Sequence, residues 1–202
     1  MFMDGLKKLG MDASDIPDLD AINARLQPMT GWRGVFVEGL EDGASFYQLL
    51  RDRQFPIGQF VRDKGDLNYT PAPDVVHDLY GHIPFFANPD YAEYCARFGE
   101  AACRYLNDRD RFRQFERFFW FTVEFSLVET PAGRRIFGAG IASSIGECEY
   151  ALSDQPQVEA FDIDRIRLQE FRIDEMQKKL FLLKSPEQLF GSLQELEQRV
   201  RA

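Results

Sequence analysis

Residues 111–129 read RFRQFERFFWFTVEFSLVE. A run so dense in large rings must be covered by other parts of the chain. It reads as one long and largely buried helix. Glu124 sits inside it, with Trp120, Phe121, Leu127 and Val128 at the helical neighbour positions and Phe125 beside it. A carboxylate alone on such a face costs several kcal/mol or takes up a proton. Glu124 therefore calls for a cation, either an Arg or Lys from another segment or a metal ion. The rest of the chain can supply the cover. At 202 residues, 45% hydrophobic with 19 Phe, it suits one domain with a real core.

The formal charge of −9 disfavours nucleic acid and anionic membrane surfaces as partners. No stretch approaches a membrane span and the N-terminus has no signal-like apolar run, so the expected location is the cytoplasm. Cys95, Cys103 and Cys148 are odd in number and form no CxxC. They read as small buried side chains rather than a disulfide framework or zinc ribbon.

The remaining pattern predicts a mainly α domain with a few short β-strands. The first 30 residues read as a loose lead-in with a short helix near 20–26. A short strand is expected around Val35 and Val37, a helix over 44–52 and an extended segment over 54–62. Asn88 and Pro89 can open a helix. Residues 138–147 start as a glycine-rich loop without the GxGxxG fingerprint. Residues 161–171 read as helix and 178–183 as strand. A last helix starts at Ser185-Pro186-Glu187-Gln188, a capping-box pattern, with an apolar stripe of Leu189, Leu193, Leu196 and Val200.

Both histidines of the chain fall in HDLYGH, residues 77–82, between Pro71, Pro73 and Pro84. In a regular helix, five residues rotate by about 500°, so His77 and His82 would point about 140° apart. Gly81 is where the helix can stop, since glycine accepts a left-handed C-terminal conformation. A break there could swing His82 back toward His77. The bland alternative is two histidines satisfied by nearby backbone. With Glu124, the pair makes the two-His, one-carboxylate triad of non-haem Fe(II) oxygenases. A zinc hydrolase is the nearest competitor, but it would normally use HExxH; here the spacing is one longer and the acid is Asp78, beside His77.

Taken together, PAPDVVHDLYGHIPFF, FWFTVEFSL, GAGIASSIGE and FDIDRIRLQEFRIDEMQKKLFLL resemble the pterin-dependent aromatic amino acid hydroxylases. The likeness runs from about Ile16 to about Phe190 and is strongest to the bacterial phenylalanine-hydroxylating members. It implies a single catalytic domain over 1–202 with the fold of that family. It implies Fe(II) held by His77, His82 and Glu124, with tetrahydrobiopterin or a related tetrahydropterin as co-substrate. Arg62 matches the arginine that pairs with the amino acid carboxylate, with Thr70 and Ser143 as polar helpers. Pro73, Trp120, Phe125, Gly140 and Ile173 match the substrate pocket. Phe46 matches the ring stacked on the pterin, Gly39 and Leu40 the loop beside it, and Asp78 an acidic residue near it. Phe119 stands where a tyrosine is common next to the pterin, and residues 100–117 form a different link. The animal enzymes' regulatory domain and tetramerisation helix are not expected, which makes a monomer the simplest assembly.

The implied reaction is hydroxylation of an aromatic amino acid with O2. L-Phe to L-Tyr is favoured because a full Trp at 120 leaves room for one ring. Tryptophan hydroxylases tend to have Phe there. Ile173 replaces a polar aspartate of tyrosine hydroxylases. Trp, Tyr or meta-Phe specificity is the alternative within the family, and a non-hydroxylating metal- or pterin-binding protein the alternative outside it.

Overall fold

In a computed structural model of the chain, residues 1–12, 14–39, 41–66, 73–173 and 175–202 are described. They form two compact units, one from 1–61 and 73–104, the other from 62–66 and 105–202.

In the first unit, α1 (Phe2–Leu9) stands where a loose lead-in was expected, and α2 (Leu19–Thr30) contains and extends the expected helix near 20–26. Asp18 caps α2 by accepting the Ala21 N–H, and Gly31 ends it in the left-handed conformation. Pro28 within its last turn is what hides its length in the sequence. Strands β1 (Arg33–Phe36) and β2 (Gln54–Ile57) pair in parallel around α3 (Gly43–Arg51). A π-turn over His77–His82 runs straight into α4 (Ile83–Phe86). Then α5 (Pro89–Cys103) opens as expected, with the Asn88 side chain accepting the Tyr91 N–H at 3.0 Å. Trp32 is fully buried at the centre, stacked on Phe86 at 4.0 Å and donating its indole N–H to Ala92.

In the second unit, the expected 111–129 helix is three elements. They are α6 (Arg109–Phe119), a second π-turn (Trp120–Glu124) and β3 (Ser126–Thr130). The Thr122 hydroxyl donates to the Phe118 carbonyl at 2.6 Å, and the Ser126 hydroxyl to that of Thr122. Such side-chain bonds compete with the regular ladder. After β4 (Gly133–Ile136), two helices replace the predicted loop: α7 (Ala139–Ala142) and α8 (Ile145–Leu152), the latter capped by Ser144. Next come β5 (Gln157–Ala160), α9 (Ile163–Leu168) and β6 (Lys179–Leu183). The sheet order is β4-β3-β6-β5, antiparallel only at β3–β4. The final helix is split into α10 (Pro186–Gly191) and α11 (Leu193–Arg201), and all four stripe residues are buried. The Gln188 side chain accepts the Lys184 N–H, one residue beyond the Ser185 N–H that a full capping box engages. Among the described residues no helix is long and apolar enough to cross a membrane.

Candidate active site

The histidine segment does not break at Gly81. Its backbone bonds widen instead: the Ile83 N–H reaches the Asp78 carbonyl, five residues back. In a turn closed at i→i+5, residues five apart fall on the same face, as i and i+4 do in an α-helix. The 140° divergence of a regular helix disappears, and the rings of His77 and His82 converge without a helix end. Asp74, fully buried, starts the turn by accepting the His77 N–H at 2.9 Å. His82 is 1% exposed and lies against the Phe55 ring, centroids 4.4 Å apart.

The two Nε2 atoms stand 3.1 Å apart. Two metal–nitrogen bonds of about 2.1 Å would place their nitrogens about 3.0 Å apart at a right angle and about 3.4 Å apart at a tetrahedral one. The observed spacing falls between these two values, so both nitrogens can face one ion. Asp78 is buried and accepts the Gly58 N–H at 2.7 Å, which ties the turn to the end of β2.

In the second unit, Glu124 ends its π-turn, and the Phe125 N–H returns to the Trp120 carbonyl. The glycine-rich stretch packs on this bend. A Cβ on Gly138 would lie 2.1 Å from the Glu124 carbonyl oxygen, and one on Gly140 would lie 2.6 Å from the Phe125 ring. Close backbone approach, not nucleotide binding, is what these glycines serve. Glu147, on α8, is 4% exposed. Its burial, and then the Glu124 charge, push its carboxyl up to about 7.

Around Glu124 stands an aromatic wall. Trp120 stacks on Phe171 at 4.4 Å and meets Phe125 at 4.6 Å. Its buried indole N–H has no partner among the described residues. Arg62 donates to the Ser143 carbonyl at 2.7 Å, so two expected substrate residues 81 positions apart come together. The Ser143 hydroxyl turns to the Gly140 carbonyl.

Phe46 packs edge-on against Tyr47 and Phe55. Gly39 is exposed, Pro73 half-buried and Phe119 buried. Ile173 is 52% exposed, so the buried surface expected to reject a phenol hydroxyl is not formed there. The segment holding it is irregular, with no strand or helix to seat the side chain. Leu40 and Thr70 lie outside the described residues. Sequence reasoning missed Phe55, Phe171 and Glu147. Phe55 and Phe171 lie far from the motifs they serve, whereas Glu147 was visible as the acid ending GAGIASSIGE.

The sequence matches the model of the biopterin-dependent aromatic amino acid hydroxylases over residues 2–201. The chain belongs to that family. It is 41% identical over 192 residues to a phenylalanine-4-hydroxylase of Chromobacterium violaceum, covering 95% of this chain and 64% of the relative. With that of Caulobacter vibrioides it shares 42% over 185 residues, 91% of this chain and 63% of the relative. The chain thus spans slightly less than two thirds of the length of these relatives. The C. violaceum phenylalanine hydroxylase structure with bound iron(III) and 7,8-dihydrobiopterin aligns at a TM-score of 0.90 and 39% identity, over 99% of this chain and 73% of that one. The Legionella pneumophila phenylalanine hydroxylase aligns at 0.88 and 35%, over 99% and 88%. The expected hydroxylase catalytic-domain fold is therefore the fold of this chain.

Proposed function

We propose that residues 1–202 act as one catalytic domain, a tetrahydropterin-dependent monooxygenase that converts L-Phe to L-Tyr with O2. The observation that carries this reading is the pair of histidine nitrogens 3.1 Å apart on a π-turn, in a chain of this family. His77, His82 and Glu124 would hold Fe(II), the histidines as neutral imidazoles and Glu124 as the anionic ligand. Iron and tetrahydropterin, when bound, would supply the redox chemistry, in which two electrons from the pterin and two from the substrate ring account for O2, one atom entering the ring and the other leaving as water.

The chain's own residues bind and orient. The Ser143 carbonyl takes one of the five guanidinium donors of Arg62 and fixes its plane. A guanidinium so oriented can grip the substrate carboxylate through charge-assisted hydrogen bonds. Trp120, Phe125 and Phe171 hold the ring and exclude water. A full indole at position 120, stacked on Phe171 and tilted against Phe125, favours a single ring over an indole. Discrimination against Tyr rests on this wall rather than on exposed Ile173. Asp78, held by Gly58, Phe46, Gly39 and Phe119 are the pterin-side residues in this reading. Three free cysteines suit a reducing cytoplasm, and the charge of −9 suits a monomer.

Aerobic turnover of Phe, Tyr and Trp with Fe(II) and a tetrahydropterin tests the reading. Tyrosine from Phe is expected to form fastest. Faster formation of 5-hydroxytryptophan, or mainly meta-tyrosine from Phe, would refute the substrate assignment.

A further inference from the structure

A π-turn gives up regular helix geometry, and irregular backbone of this kind persists where its surroundings hold it. In this chain the turn carrying both histidines is gripped from the N-terminal side at two points. Tyr80, between His77 and His82, has its hydroxyl 2.7 Å from the Asp15 carbonyl and also against the carbonyl of Asp12. The one hydroxyl proton can serve either oxygen, so the ring is tied to the α1–α2 connection whichever it chooses. That connection has its own internal support, the Asp12 carboxylate accepting the Ser14 N–H at 2.8 Å. Just beyond His82, α1 packs down on α4. A Cβ on Gly5 would lie 1.9 Å from the Pro84 carbonyl oxygen, and the Phe2 and Phe85 rings meet at 5.6 Å. Hence one contact bears on the turn between the histidines and the other immediately after the second.

We infer that the N-terminal residues 2–12, 14 and 15 form a clamp that sets the separation of His77 and His82, with Tyr80 as a positioning residue for metal binding. The inference rests on the reading of the two histidines as metal ligands. Tyr80 itself offers no ligand to the ion, because its hydroxyl is turned to the backbone of the clamp. It acts by holding the turn wide enough for both imidazoles to face one point. Released, the turn can relax toward a regular helix, in which the rings diverge.

Tyr80→Phe keeps the ring and removes only the tie. Co(II) and Fe(II) affinities of the parent, Tyr80→Phe and His77→Ala proteins would be measured by chelator competition, alongside the visible ligand-field spectrum of the Co(II) forms and thermal unfolding. Losing a hydrogen bond of ordinary strength is expected to weaken metal binding roughly three- to tenfold. The Co(II) spectrum should shift, while the metal-free midpoint changes little. His77→Ala should lose far more affinity. If the parent binds metal, His77→Ala does not, and Tyr80→Phe matches the parent in affinity and spectrum, the clamp is wrong and the ligand reading stands. If neither parent nor variants bind metal, the ligand reading falls and the clamp with it.

Discussion

Glu147 carries a consequence for pH. Its carboxyl titrates near 7 in the folded protein against 4.5 ordinarily, because it is buried beside the charge of Glu124. The folded state therefore keeps this proton to higher pH than the unfolded chain. The stability contributed is complete below about 4.5, declines as pH rises toward 7, and is gone above. The gap between 4.5 and about 7 corresponds to at most about 3 kcal/mol. Glu147→Gln imitates the protonated form at every pH. In denaturant titrations of the metal-free protein, the variant should match the parent near pH 4.5 and exceed it at pH 8. An equal difference between the two at both pH values would show that Glu147 is not perturbed as described.

At the scale of elements, the bend after Glu124 depends on what is missing at position 138. Gly138→Ala would drive a methyl into the Glu124 carbonyl, displacing β3 or the turn before it. Overpacking of this kind costs on the order of 1–3 kcal/mol, and more where backbone must move. Gly191→Ala, where an added Cβ meets nothing within 4 Å, is the matched control and should leave the unfolding midpoint near the parent's. Equal midpoints for the two variants would count against a tight 138 contact. Local chemistry made other elements readable in advance. Asn88-Pro89 marks the start of α5 because cap and first turn are sequence-local, and β1, β2 and β6 follow from short apolar runs. The π-turns were hidden because apolar periodicity does not distinguish i→i+4 from i→i+5 bonding, so Gly81 looked like a stop and 111–129 like one helix. The proposed site was legible to the extent that its candidate groups lie in compact motifs. His77, His82, Glu124 and Trp120 could be named from sequence, whereas Phe171 enters only through its stacking on Trp120.

Across the whole molecule, the order of strands has a consequence in time. Every contact described for the histidine turn, from Asp12, Asp15, Phe55 and Gly58 to α4, is made by residues synthesised within the first 104. β3, which begins two residues after Glu124, pairs in parallel with β6, and Ser126 finds Phe181 as its partner. Pairing over 55 positions is slow to form, since loop closure precedes any gain from the contact. The imidazole pair is thus expected to mature while the glutamate strand is still unpaired. In pulsed hydrogen-exchange labelling during refolding, amides of 77–82 should be protected before those of 126–130; the reverse order would contradict it. On the proposal that His77, His82 and Glu124 hold iron, an ion met early by a growing chain would find the two imidazoles before the carboxylate, and lasting capture would wait for β6, the last of the described strands.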